Sequence, residues 1–413
     1  MAKRAGSADL PLHGGRVPSW LATRMSTLGR VITEAIVHHY GRNTYFSRLS
    51  DPFWFQSFGA VMGMDWHSSG ITTSVMGALK RGLEPVADEL GIYVCGGRGR
   101  HSRKTPSELT GLGERLGIDG DQLACTSRLV AKIDSAAVQD GFQLYLHSFV
   151  LASDGRWCVV QQGMEPRSRT ARRYHWHSPD VTDFVCAPHA AIAGPEQGPL
   201  LNMVSPAADS ARTAQLTLIN ESPDRLVSIW REVGASNRQL RLPHHHDVRA
   251  DDVNVGRLHA TLSAAAANGP SDYAELLLTG GLGARTVEAL AHIAQVVHGT
   301  PVQFEDPARF SFALGGKDGH PFPVPLAVYD ETIKVLKRAL ENARLGRDER
   351  LTALRRLDRQ ARALDGVAAG VPFELTLQRE AKRVRRYRPR AVNSTSSRSA
   401  APSRAARRQF TLL

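Results

Sequence analysis

The sequence predicts an α+β protein: N-terminal helices with a small antiparallel sheet, then an all-helical module closed around a glycine turn, then a disordered basic tail. Three observations carry this. Apolar residues recur at helical spacing from Leu21 to about Ala137, the period drops to two after Asp140-Gly141, and helical signals return from about Pro223. The boundaries follow as an α+β region over 10–215, a helical region over 223–365 and a tail over 371–413. No internal repeat interrupts them.

Pro18-Ser19 opens an amphipathic helix through Leu21, Met25, Leu28, Ile32, Ala35, Ile36 and His39. Ser50-Asp51-Pro52 is a helix start with proline in the first turn, and Ser68-Ser69-Gly70 precedes a helix over Ile71 to Arg81. Ile92 to Cys95 is a short strand candidate. Thr105-Pro106-Ser107-Glu108 has the capping-box pattern, with Thr105 as cap and Glu108 reaching back; that helix stops near Gly117. Leu123, Leu129, Val130, Ile133 and Ala137 continue at helical spacing. Then Phe142, Leu144, Leu146 and Val150 alternate with Gln143, Tyr145, His147 and Phe149, and Ser153-Asp154-Gly155 turns the chain into a return strand over Trp157 to Gln162. Arg172 to His177 is a further strand. Beyond Pro223, Val287, Leu290, Ile293, Ala294 and Val297 make one helical face. Two long helices, one at Ile333, Leu336 and Leu340 and one from Leu351 to Leu364, break near Gly346.

Hydrophobic residues make up 42% and charged residues 22% of the 413, as in a globular protein, and no run is long and apolar enough to span a bilayer. The start, Met1-Ala2-Lys3-Arg4, has no apolar stretch behind it, which argues against a secretory signal. Cysteines 95, 125, 158 and 186 stand far apart, without metal or redox spacing, and fit reduced thiols in a cytoplasm. The net charge of +12 is unevenly placed. Ten Lys and Arg residues and no acid follow Glu380, leaving 42 basic against 40 acidic residues elsewhere. Such a tail draws phosphates at long range, or is simply solvated.

Tyr273 to Leu278 reads as a helix end, Thr279-Gly280-Gly281-Leu282-Gly283 as a tight turn, and Ala284-Arg285-Thr286 as the next helix's first turn. This resembles a helix-hairpin-helix motif. Gly281 and Gly283 would let backbone N–H groups approach a phosphate, the helix start adds partial positive charge, Leu282 would lock the turn inward, and Arg285 and Thr286 would contact the backbone. Gly280 stands where many such hairpins have proline. The plain alternative is a tight turn between core helices.

Other candidates carry alternatives of the same kind. Gly97, Arg98, Arg100, Arg103 and Lys104, in the run Gly96 to Lys104, make a phosphate cradle without Walker spacing, or a solvated loop. Asp65 and His67, followed by Ser68 and Ser69, could hold a metal or pass a proton, or the serines could cap the next helix. Arg173, His175 and His177 should share a strand face opposite Tyr174 and Trp176, with Gln161 and Gln162 on the neighbouring strand and Gln143 and His147 on one face of the strand before it; such a face binds metal or nucleotide, or is hydrated. His244-His245-His246-Asp247 is a weak metal signal, since consecutive histidines point apart. Lys132 and Asp134 fall on different helix faces, which weakens a nuclease triad built on them.

His13-Gly14-Gly15-Arg16-Val17-Pro18, Gly63-Met64-Asp65-Trp66-His67-Ser68-Ser69-Gly70, Ala136 to Gly141, Val160-Gln161-Gln162-Gly163-Met164, Arg173-Tyr174-His175-Trp176 and Phe312 to Gly319 resemble the bacterial and archaeal domain-of-unknown-function family seven-six-three. The resemblance implies one family unit over roughly residues 10 to 365, hairpin included, with the tail outside. The residues themselves point to a cytoplasmic nucleic-acid-binding protein of DNA repair or genome maintenance, with DNA favoured over RNA, a protein partner possible and no membrane. As an enzyme it would be a metal-dependent nuclease using Mg or Mn, with Asp65, His67, Asp140, His175 and His177 as ligands or acid/base groups. The alternatives are a non-enzymatic DNA-binding adaptor and an RNA-processing or nucleotide-modifying enzyme. Convergence of those acids and histidines in space would favour catalysis.

Overall fold

The structure, a computed structural model, describes residues 10–11, 19–64, 70–165, 170–194, 197–236, 253–301, 303–308, 334–341 and 353–355. Asp65, His67, Ser68, Ser69, the histidine run at 244–246, most of the C-terminal helical stretch and the basic tail lie outside these residues.

The first helix, α1 (Ser19–Leu49), buries Met25, Leu28, Ile32 and Ile36 and kinks at Gly41, whose φ is 81°. α2 (Pro52–Val61) starts as its sequence asks: the Asp51 carboxylate accepts from the N–H groups of Phe53 (2.8 Å) and Trp54 (3.0 Å). α3 (Gly70–Leu83) lies close against α1. A short α4 (Ala87–Leu90) leads into the sheet.

Six strands form an antiparallel sheet: β1 (Leu10–Pro11), β2 (Ile92–Arg98), β3 (Gln143–Ala152), β4 (Trp157–Glu165), β5 (Thr170–His177) and β6 (Ala191–Ala193). The order is β1-β5-β4-β3-β2, and β6 shares the outer edge of β5 with β1. The hairpin between β3 and β4 turns at Ser153-Asp154-Gly155, with Gly155 at φ 84°.

Both faces of this sheet are covered. Ile92, Val150, Ala152, Cys158 and Val160 pack on α1 to α3. Tyr93, Phe149, Leu151, Trp157, Val159, Tyr174 and Trp176 pack on the other side. There the cover comes from α5 (Thr105–Leu116), α6 (Gly120–Lys132), α7 (Asp209–Ile219), α8 (Pro223–Ser236), α9 (Val255–Asn268), α10 (Tyr273–Leu278) and α11 (Ala284–His298). Residues from before 215 and after 223 thus share one core. Val335, Leu336, Ala339 and Leu340 join the opposite core, beside α1 to α3.

Three local expectations are corrected. Thr105 does not cap α5, because a 3-10 turn over Gly99–Lys104 runs directly into it and leaves Thr105 helical (φ −52°, ψ −47°). Glu108 instead accepts from the Gly96 N–H at 2.7 Å and pairs with Lys80 at 2.9 Å. Gln143 and His147 do not share a face. A bulge at Leu144/Leu146 shifts the alternation, so that Leu144 lies on the side of Phe149 and Gln143 is exposed. The polar sheet face is not hydrated: His147, Gln161, Gln162, Arg173 and His175 are all buried.

The α1–α3 crossing is close enough that a Cβ on Gly82 would overlap the backbone carbonyl of Ser26. Gly82→Ala should therefore cost about 1–3 kcal/mol by forcing two helices apart. Urea unfolding reads this as a lower midpoint; an unchanged midpoint would mean that the crossing tolerates the extra carbon.

Candidate functional site

The glycine turn forms between α10 and α11. Asp272 caps α10 by accepting from the Glu275 N–H at 2.8 Å. Leu282 is buried in the core. Gly281 is exposed and has φ 83°, a conformation glycine alone adopts freely. Gly283 is different: its backbone is extended (φ −144°, ψ −176°) and the space beside its Cα is open. It begins α11 with no side-chain cap, so the first N–H groups of a 15-residue helix are left without a side-chain acceptor. Arg285 is exposed and pairs with Glu288 at 3.4 Å, while Thr286 is buried and withdrawn from surface contact.

This turn is braced from beneath. Lys132 Nζ donates to the Leu282 carbonyl, and Gln139 Nε2 donates to the Ala284 carbonyl at 2.7 Å. Lys132 ends α6, and the next residues, Ile133–Ala137, form a π-helical turn. Burial holds the Lys132 amine below the usual lysine range.

The π turn places Asp134 in the middle of a buried polar chain. Asp134 is 0% exposed. Its Oδ2 accepts from Gln161 Nε2 and from Trp176 Nε1 (3.0 Å), and its Oδ1 accepts from His189 Nε2 (2.5 Å). The Gln161 amide, oriented by Asp134, presents its oxygen to His147 Nδ1 at 2.7 Å, which leaves His147 Nε2 to accept from the Ser127 hydroxyl at 2.8 Å. Every donor in the chain runs toward the one carboxylate. The His189 ring lies 4.4 Å from Trp176, centroid to centroid. Two residues before His189, Ala187 holds a φ of 46°, and it is the one described residue other than glycine with positive φ.

A second cluster lies on the same face. Arg172 reaches Asp140 at 3.0 Å and clasps Asp306 through both carboxylate oxygens, at 3.0 and 2.7 Å. Asp140 also accepts from the Tyr174 hydroxyl (2.6 Å) and the Phe142 N–H (3.1 Å). Burial pushes the Asp140 carboxyl up to about 6, against the pull of Arg172, Tyr174 and the Phe142 N–H. Burial works against the Arg172 charge too, but Asp140 and Asp306 outweigh it and raise its pKa.

Arg173 and His175 point to the opposite face, under α2 and α3. Arg173 donates from Nε to His175 Nε2 (2.8 Å), from Nη1 to Gln56 Oε1 (3.0 Å) and Thr72 Oγ1 (3.3 Å), and from Nη2 to the Pro52 carbonyl (3.2 Å). Burial brings Arg173 down to about 9, with Asp51 acting in the other direction. Burial and then the Arg173 charge hold His175 well below the ordinary histidine range.

Among the described candidate acids and bases, the structure thus separates Asp140 from His175. Asp140 and His175 lie on opposite faces of one sheet, and His177 sits at the rim, paired with Asp180 at 2.9 Å. The His175 lone pair is taken by Arg173, and the Asp140 carboxylate is saturated by internal donors. Among the described residues there is no group of three or more His, Cys, Asp or Glu that could hold a metal ion. The basic run is exposed at Arg98, Arg100, Arg103 and Lys104, but its first glycines belong to β2: Gly97 pairs with His147, and the Gly96 N–H is occupied by Glu108. Arg98 lies 5.8 Å over the Tyr145 ring. Sequence reasoning missed Asp134 as a hub and His189 altogether. The local signal for His189 was weak, a lone histidine after Cys186-Ala187-Pro188.

A family model described as "Protein of unknown function (DUF763)" matches residues 6–324, and the chain belongs to that family. The match contains the sheet, both polar clusters and the α10–α11 turn, and ends before the basic tail. No curated protein and no solved structure matches the chain. No helix among the described residues is long and apolar enough to cross a membrane.

Two stability effects follow. Arg172→Met strands two buried carboxylates and should cost about 3–5 kcal/mol; adding Asp140→Asn and Asp306→Asn should recover part of it. Urea midpoints of the two variants test this, and equal losses would show that the charge pairing is immaterial. The second effect concerns pH. His147, His175 and His292 are held below the usual histidine range, by burial first in each case. On unfolding below about pH 6.5 each takes up a proton, so stability falls with falling pH, by up to about 4 kcal/mol per unit for three groups. Asp140, raised to about 6, holds its proton in the native state while the unfolded carboxyl is ionised. Between about pH 6 and 4 it offsets roughly one of those protons. Denaturation midpoints should therefore drop steeply below pH 6.5 and less steeply below pH 6; a midpoint that rises on acidification would contradict neutral burial of the histidines.

Proposed function

We propose that this protein binds nucleic acid, duplex DNA foremost, by gripping the phosphate backbone with the α10–α11 turn. The observation that carries the reading is the combination at that turn: exposed Gly281 in a left-handed conformation, Leu282 anchored in the core, and α11 beginning without a side-chain cap beside exposed Arg285. Backbone N–H groups and a helix start suit a phosphate oxygen and read no base, so binding should be largely independent of sequence. The exposed Arg98 to Lys104 run and the basic tail would extend the electrostatic footprint. A role in DNA repair or genome maintenance in the cytoplasm fits this mode of binding.

Of the two forms this role can take, a non-enzymatic adaptor is favoured by the separation of Asp140 from His175 and by the internal partners of the Asp140 carboxylate and of His175 Nε2. The observation that favours an enzymatic form is elsewhere. Asp134 and His189 make a carboxylate–imidazole pair of the kind that readies a general base, and a hydrolytic assay on labelled DNA with Mg or Mn should be run on His189→Asn as well as on Asp65→Ala.

Binding of the full chain to a labelled duplex, followed by anisotropy over a salt series, tests the proposal. Arg285→Glu should weaken binding about tenfold and lessen the slope of log K against log salt by about 1. The same loss should appear in a chain ending at residue 370, which separates the turn from the tail. Unchanged affinity of Arg285→Glu in both chains would remove the turn from the interface.

A further inference from the structure

A cleft of about 690 Å³ opens between the second half of α1 and the end of the sheet where β3 turns into β4. Three arginines line it, Arg42, Arg48 and Arg156, together with His177, Thr44 and Ser178. This is the far end of β2 from the Arg98 run. Ile92, at the cleft end, pairs with Ala152, whereas Arg98 pairs with Leu146 six residues along, a separation of roughly 20 Å. The cleft is therefore no extension of the basic run.

Its charge is arranged for an anion. One carboxylate lines the cleft, Asp51, and that group is engaged as the cap of α2. Arg156 shares its charge with Asp154 at the rim. Arg42 is different. Its side chain donates to a neutral partner, the Ser153 hydroxyl, and no carboxylate of the described residues lies within ion-pair distance, although, after the Arg156 hydrogen bond, its charge helps to hold the Asp154 carboxyl down. It is also held in place. Its guanidinium lies against the Cα of Gly91, where a Cβ would overlap both Arg42 Nη1 and Ser153 Oγ. Gly91 has φ 62°, which ends α4 in a left-handed cap and clears that space. The result is a positioned guanidinium whose hydrogen-bond partner is neutral, with Arg48, Arg156, Thr44 and Ser178 also lining the cleft.

We infer that this cleft binds a small molecule carrying a phosphomonoester, of about nucleotide size. The volume falls within the range of small-molecule sites, about 300–1,000 Å³. Forked guanidinium donors match the oxygens of a phosphate dianion, and the Ser178 hydroxyl, which accepts from the Trp157 N–H, keeps its own proton to donate to them. Inorganic phosphate, a free nucleotide and the 5′-phosphate end of an oligonucleotide share this chemistry, and the binding arms tell them apart.

The test is isothermal titration of the full chain with adenosine 5′-monophosphate, adenosine, inorganic phosphate and a short 5′-phosphorylated oligonucleotide. Adenosine monophosphate should bind at least about tenfold more tightly than adenosine, the weight of one charge-assisted hydrogen bond or more, and inorganic phosphate should compete with it. Tighter binding of the phosphorylated oligonucleotide than of the nucleotide would identify a strand end as the source. Arg42→Gln should weaken the nucleotide about tenfold, and Gly91→Ala should do the same with every arginine still present. Duplex binding by the α10–α11 turn should survive both changes, and Arg285→Glu should leave the nucleotide affinity intact. Arg156→Gln, at a more exposed site, serves if Arg42→Gln fails to fold. Equal binding of nucleotide and nucleoside, undiminished nucleotide binding by these variants, or no binding at millimolar concentration would overturn the inference.

Discussion

The carboxylate of Asp134 has no exposure to water, and the chain must supply every hydrogen bond it needs. Gln161 on β4, Trp176 on β5 and His189 in the loop beyond β5 all donate to it. The backbone that carries it is wound as a π turn, a form that occurs mostly as single turns and often near functional positions. That turn is flanked by Lys132 and Gln139, the two residues that hold the carbonyls of Leu282 and Ala284. One buried charge therefore fixes the sheet, the loop over it and the platform under the α10–α11 turn in a single arrangement. If any of these moves, an acceptor or a donor is left unpaired in a dry interior, and that penalty keeps them in register.

The sheet explains why so many polar side chains are structural. Helices cover both of its faces, so alternate residues of a strand point into two separate cores. The consecutive arginines of β5 show the effect: Arg172 pairs with two carboxylates on one side, and Arg173 is spread over amide, hydroxyl, carbonyl and imidazole acceptors on the other. Polar residues in such a sheet serve as ties between the sheet and its covering helices. The surface left open lies at the margins, where helices begin, turns project and the cleft beside α1 opens.

Local physics made much of this legible in the sequence. Asp51-Pro52 announced the start of α2, Ser153-Asp154-Gly155 announced the hairpin, and Leu282 between two glycines announced an anchored turn, because each signal is completed within a few residues. What failed depended on distant partners. The polarity of Gln162, Arg173 and His175 suggested a wet face, since nothing nearby revealed that α1 to α3 would cover it. Glu108 looked like a cap for its own helix but serves Gly96 and Lys80, 12 and 28 positions earlier in the chain. The bulge at Leu144/Leu146 moved His147 to the face opposite Gln143, and a strict alternation has no means of showing an extra residue. The tie between Asp134 and His189, 55 positions apart, had no spacing to read. Arg172 lies between Ala171 and Arg173, with Tyr174 and Trp176 beyond. Such a strand does hint at buried cations, although its partner Asp306 is 134 positions away.

The bond from Glu108 to Gly96 has a consequence for how the molecule behaves in a crowded solution. β2 is the last strand on its side of the sheet, and an edge strand offers unpaired N–H and C=O groups to any passing chain. At Gly96 both are taken, the N–H by Glu108 and the carbonyl by Lys80. On the opposite margin, β1 and β6 divide the outer edge of β5 between them. The ion pair that fails to serve as a helix cap thus acts as a stopper, keeping a half-open sheet from recruiting strands of its neighbours and growing into fibrils.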